Sequence, residues 1–117
     1  MTYIDAYVLP VPKDRLADYK EIARKAAPLW KEYGAIGYVE SVADDVPYGD
    51  RTSFPRSVEV ADDEIVILSW IIYPTKAVRD DASKKMMADP RMTEMMNTMP
   101  VDGNRMIFGG FEPFLDE

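Results

Sequence analysis

Ile65-Val66-Ile67-Leu68-Ser69-Trp70-Ile71-Ile72-Tyr73-Pro74 is the stretch on which the fold turns. β-Branched and aromatic residues fill it, so it predicts a strand that stops at the proline. It is apolar on both faces. In a two-layer α/β sandwich helices cover only one face of the sheet, so such a strand needs a second cover. A charged, helix-patterned stretch beginning near Lys76 follows. The same succession occurs earlier: Tyr3–Leu9, then Pro10, then Lys13-Asp14-Arg15 and a helical pattern reaching Tyr33. Each half closes on a further short apolar run, Ile36–Val42 and Arg105–Phe111. A βαβ order stated twice predicts an α+β fold, a ferredoxin-like βαββαβ antiparallel sheet with helices on one face. The two-sided strand predicts a homodimer in which two such sheets face each other as a dimeric α+β barrel. The alternative cover is the 43–63 segment folded back over the open face.

Alternation in Tyr3–Leu9 separates an aliphatic face, Ile4, Ala6 and Val8, from a mixed face, Tyr3, Asp5, Tyr7 and Leu9. The aliphatic face is expected under the helices. Helix one is predicted over 13–33, with an apolar stripe of Leu16, Tyr19, Ile22, Ala26, Trp30 and Tyr33. Pro28 should kink or split its last turns, and Gly34 should end it. Thr75 and Asp89-Pro90 read as N-caps of helices near Lys76–Ala88 and Pro90–Thr98. Gly109-Gly110 within the last strand suggests a bulge or a close backbone approach.

The 117 residues fit one domain, 1–117, with a long loop insertion at 43–63 and a loose acidic tail at 113–117. Hydrophobic residues make up 47% of the chain, enough for a real core. The formal charge is −7, which repels phosphates, so neither nucleic acid nor an anionic membrane is expected as a partner. There is no Cys and no His. That removes disulfides, thiol nucleophiles, zinc clusters and the Ser-His-Asp triad, and leaves acid–base work to Asp, Glu, Tyr and Lys. No metal and no cofactor is expected. No apolar run approaches the ~18 residues of a membrane span, no secretory leader is expected, and a cytoplasmic location is the default.

Thr52-Ser53-Phe54-Pro55-Arg56, Ser69–Pro74, Arg79-Asp80, Met87–Met92 and Arg105-Met106 with Gly109-Gly110-Phe111-Glu112 occur in one order along the chain. Together they resemble the YbaA-like bacterial family, a domain of unknown function among the dimeric α+β barrels. Val101 and Asn104 depart from that pattern, which favours an aromatic and a basic residue there. The resemblance implies the fold and a dimer. It implies no established activity. Some members carry an RNA-related label, to which this acidic chain, lacking a basic stripe and aromatic RNA-binding motifs, lends no support. More distant barrel relatives include cofactor-free monooxygenases, haem-degrading enzymes and lactone isomerases, and their chemistry extends here only by fold analogy.

Strand parity collects a candidate pocket. Asp5 and Tyr7 on strand one, and Tyr38 and Glu40 on strand two, are spaced to share the open side of the sheet, and Arg105 is placed to reach it. Carboxylates among apolar walls acquire raised pKa values suited to acid–base work. The plainer alternative is rim charges or a structural Asp–Arg pair. Trp70 is a candidate pocket wall or simple core, and Ser69 must point the other way. Met92, Met95, Met96 and Met99 recur at helical spacing and suit a pocket wall or an interface better than a copper site. Arg56, beside Phe54 and Pro55, is a candidate loop anchor or anion receiver. Two functions follow: a small-molecule binder or cofactor-free enzyme with its pocket on the sheet, or a non-catalytic homodimeric interaction module using the 43–63 loop.

Overall fold

The computed structural model describes residues 2–117. Four strands, β1 (Tyr3–Pro12), β2 (Gly37–Val42), β3 (Glu64–Tyr73) and β4 (Ile107–Phe111), form one antiparallel sheet in the order β2-β3-β1-β4. Helix α1 (Leu16–Glu32) links β1 to β2 after a short 3-10 turn at Lys13–Arg15. Helices α3 (Lys76–Ala88) and α4 (Pro90–Thr98) link β3 to β4. Each link skips one strand, and this interleaving produces the ferredoxin-like α+β arrangement.

The helix ends are explained by single residues. Gly34 ends α1 at a φ of +119°, a conformation that favours glycine. A Cβ there would also lie 2.6 Å from Val78 Cγ1 of α3. The Thr75 hydroxyl accepts from the Val78 N–H at 3.1 Å, and the Asp89 carboxylate accepts from the Arg91 N–H at 2.8 Å. Asp89 also receives the Tyr33 hydroxyl at 2.6 Å, while Arg91 reaches Glu32 at 2.7 Å. That network pins the start of α4 to the end of α1.

Two expectations need correction, and for a third the structure selects between its alternatives. Helix α1 runs through Pro28 without being split, and this residue faces solvent, where its ring meets no packed neighbour layer. Gly109 and Gly110 pair in continuous register with Ala6 and Asp5, so there is no bulge. The glycine serves close approach instead, since a Cβ on Gly110 would meet the Tyr3 hydroxyl at 2.3 Å. The second correction concerns the faces of β1. Asp5, Tyr7, Leu9 and Val11 point beneath the helices, and Ile4, Ala6 and Val8 point to the open side. Leu9 and Val11 pack with Ile67 and Tyr19 of α1, and Tyr7 joins them. The strand continues past Leu9 to Pro12, and Val11 supplies aliphatic bulk to the face that looked mixed in a shorter window.

The open side carries Ile4, Ala6, Val39, Leu68, Trp70, Ile72, Ile107 and Phe111 by register. The 43–63 segment contains the short helix α2 (Phe54–Ser57) and covers one end of this face, where Val58 packs against Val8 and Val66. Phe111 and Ile107 are left 61% and 46% exposed, so the fold-back cover is partial.

Candidate functional site

A cleft of about 370 Å³ opens between α1 and the edge strand β2. Tyr19, Ala23 and Ala27 follow one another a helical turn apart on α1, and the two alanines leave the room that larger residues would fill. Tyr38, Glu40 and Val42 line the β2 side, with Ile67 of β3 behind. Lys20 and Arg24 stand along the helix edge of the same cleft.

Glu40 is the chemical centre of this space. Its carboxylate accepts the Tyr19 hydroxyl at 2.7 Å and a short hydrogen bond from the Tyr38 hydroxyl. Burial pushes the Glu40 pKa up, and the hydrogen bonds from Tyr38, Tyr19 and Ser69 only partly offset it. Both phenols are pushed well above their ordinary range, first by burial and then by the adjoining carboxylate. Tyr7 lies across the sheet from Ser69, which lies across from Glu40, so the three form one transverse row. Burial raises the Tyr7 pKa to about 12. Its ring stacks on Phe108 of β4, with centroids 6.1 Å apart.

Asp5 forms a second buried carboxyl under the same sheet, only 7% exposed. Burial raises its pKa, Arg79 lowers it, and Asp80 adds to the rise. Arg79 Nε stands 3.5 Å from Asp5 and 3.4 Å from Asp80 without a well-directed hydrogen bond to either. The guanidinium instead donates to the Tyr3 hydroxyl at 2.9 Å and lies over the Tyr3 ring. The Tyr73 hydroxyl is buried nearby without a hydrogen-bond partner.

Asp5, Tyr7, Tyr38 and Glu40 thus share one face as the parity predicts, but that face lies under the helices. Trp70 pairs with Ala6 and Val39 on the opposite, open face, and so is separated from them by the sheet. Arg105 precedes β4 and is consumed structurally. It grips Glu64 through two bonds of 2.7 and 2.6 Å, and it also reaches Asp102 at 2.8 Å and the Glu59 carbonyl at 3.0 Å. Arg56 anchors its own loop, donating to the Tyr48 and Gly49 carbonyls at 2.9 and 3.0 Å with its guanidinium over the Tyr48 ring. Sequence reading missed Tyr19 and Arg79 as site residues; it set Ser69 on the face opposite Trp70, where it lies. The signal for Tyr19 was present: a phenol in an aliphatic helix stripe must find a partner for its hydroxyl. Among the described residues no group of three or more acidic side chains could hold a metal ion. No helix of the described residues is long and apolar enough to cross a membrane.

A family model described as "Protein of unknown function (DUF1428)" matches residues 2–103. The "Uncharacterized protein YbaA" of Escherichia coli strain K12 is 53% identical over 117 residues, covering 100% of both chains. Among solved structures, a dimeric ferredoxin-like protein from an uncultured marine organism covers 100% of both chains with a TM-score of 0.64 at 6% identity. SnoaB, a cofactor-independent oxygenase from Streptomyces nogalater, is 10% identical with a TM-score of 0.63, covering 98% of this chain and 95% of its own. At such identities these two structures establish the fold alone.

Proposed function

The chain belongs to the family of unknown function DUF1428, and on that premise we propose that it is a homodimeric protein that binds a small molecule in the α1/β2 cleft, with Glu40 as the group that takes or gives a proton. One observation carries this reading. A carboxyl with a raised pKa stands on a cleft of about 370 Å³, held by hydroxyls and, among the described residues, by no cation. A structural carboxylate is ordinarily paired with Arg or Lys, as Glu64 is here with Arg105. Keeping a half-buried carboxyl without a cation has a stability cost, and such costs concentrate where chemistry or binding uses them. Tyr38 and Tyr19 orient the carboxyl, and Ser69 and Tyr7 continue the same transverse row under the sheet. If the bound molecule reacts, the chemistry available is proton abstraction or delivery by Glu40. The likeness to a cofactor-independent oxygenase supports only that this fold accommodates such a site.

The dimer rests on the open face, where Ile4, Leu68, Trp70, Ile72, Ile107 and Phe111 make an apolar surface that α2 leaves mostly uncovered. A second sheet is a cover of matching shape, and the solved relative of the same fold described as dimeric supports it.

A thermal-shift screen of small metabolites tests the binding reading, since a ligand specific to the native state raises the Tm by mass action. Glu40→Gln should fold and lose the response to any hit. Ala27→Phe, which fills the cleft from a half-buried position, should lose it too. A hit that stabilises both variants as well as the wild type places the binding site elsewhere and ends this proposal.

A further inference from the structure

Resting on the cleft reading above, we infer that the ligand is a small organic anion: an apolar body with an anionic group at one end, received by Lys20 and Arg24, and a hydroxyl or carbonyl at the other, facing Glu40. The cleft is chemically graded. Its wall is apolar, made of Ala23, Ala27, Val42, Ile67 and the ring of Tyr19. Its polar groups divide into a carboxyl with phenol hydroxyls on the sheet side and two cations on the helix side.

The two cations are a turn apart on α1 and so stand on the same side of the opening. Lys20 forms no ion pair among the described residues. Arg24 has only a long, exposed contact of 3.4 Å to Glu21, which a ligand carboxylate can displace at little cost. Both stand out on a chain of net charge −7, whose overall field disfavours anions. A cationic ligand fits this gradient poorly, because it would pass two like charges on entry. A fully apolar ligand would remove the remaining water from the Glu40 carboxyl and offer its free hydrogen-bonding capacity nothing in return. A protonated Glu40 can donate to a carbonyl and an ionised one can accept from a hydroxyl, and the anionic end stays in partly solvated contact with the flexible Lys20 and Arg24 side chains.

The experiment uses paired probes: 4-hydroxybenzoate and 4-hydroxyphenylacetate against their uncharged methyl esters, titrated into the full-length protein and followed by calorimetry and by chemical shifts of the cleft residues. The acids should bind more tightly than their esters. Lys20→Gln combined with Arg24→Gln should weaken the acids by about tenfold, the combined effect of two exposed charge contacts, and leave the esters within about twofold. Added salt should weaken the acids alone. Glu40→Gln should weaken acids and esters alike. Equal binding of acids and esters, or acid binding indifferent to the double substitution, overturns the anion assignment and leaves the cleft reading standing. If neither acids nor esters perturb the cleft at millimolar concentration, the anion assignment falls. Should the wider metabolite screen also yield no hit sensitive to Ala27→Phe, the cleft reading falls separately.

Discussion

At Glu40, burial and hydrogen bonding pull in opposite directions, and burial wins. The groups facing it are Tyr19 from α1, Tyr38 from its own strand, Ser69 from β3 and Tyr7 from β1 beyond. A carboxyl whose folded pKa is raised binds its proton more tightly in the native state than in the unfolded chain. Its contribution is therefore fully present below the ordinary glutamate value of 4.5 and is lost as pH rises through the raised folded value. Asp5 has the same sign. Denaturant titrations of wild type and Glu40→Gln should diverge in favour of the variant as pH rises across that window and run parallel above it; curves parallel throughout would remove the raised pKa. Tyr38→Phe deletes one of the bonds that lower the Glu40 pKa. It should push the carboxyl titration higher still, as read by NMR of the side-chain carboxyl, and cost about 1–2 kcal/mol in stability. Arg105 belongs to another class. It holds down the Glu64 and Asp102 pKa values through direct bonds, so Arg105→Met should lower the denaturation midpoint near neutral pH and leave ligand response intact. The opposite pattern, a stable fold with lost binding, would return Arg105 to the site.

Among the elements, α1 carries the most of the proposed site, because one face of it both packs the core and opens the cleft. Tyr19 and Ala23 are buried on the sheet while Lys20 and Arg24, the next positions around the helix, edge the opening. Its C-terminal end depends on Gly34, where a positive φ and the 2.6 Å approach to Val78 coincide. Gly34→Ala should destabilise by about 1–3 kcal/mol, from backbone strain plus displacement of α3. A change near zero in equilibrium unfolding would show that the α1–β2 turn relaxes freely. Pro28 has the opposite standing. Lying exposed in an unbroken helix, it should tolerate Pro28→Ala with a change of no more than about 1 kcal/mol, because the regained helical bond and the extra freedom of the unfolded chain offset each other. A loss of several kcal/mol would mark the ring as a packing element.

For the whole molecule, the proposed dimer stands or falls with the open face of the sheet. Trp70→Asp would bury an unpaired charge if a second sheet covers that face. Sedimentation at micromolar concentration should therefore show wild-type dimers and variant monomers; a compact wild-type monomer overturns the dimer. The order of elements, the helix caps at Thr75 and Asp89, the stop at Gly34 and the two-sided apolar strand around Trp70 were all legible in the sequence. Each follows from local chemistry: backbone dihedral preference, side-chain capping, and the period of apolar residues. That Asp5, Tyr7, Tyr38 and Glu40 share a face was also legible, because parity is a property of the strand itself. Which side of the sheet the helices occupy was not. A strand with bulky apolar residues at both parities carries no local preference, and the choice fell to Leu9, Val11 and their sheet neighbour Ile67 meeting Tyr19 across the layers. Arg105 shows the same division: its charge is in the sequence, but its partner Glu64 lies 41 residues away. The cleft was equally out of reach, since it exists only where small residues of α1 happen to face Glu40 on the edge strand. Sequence determines the local geometry of each piece, and tertiary packing determines which polar groups are left without a cation, because that depends on contacts between segments distant along the chain.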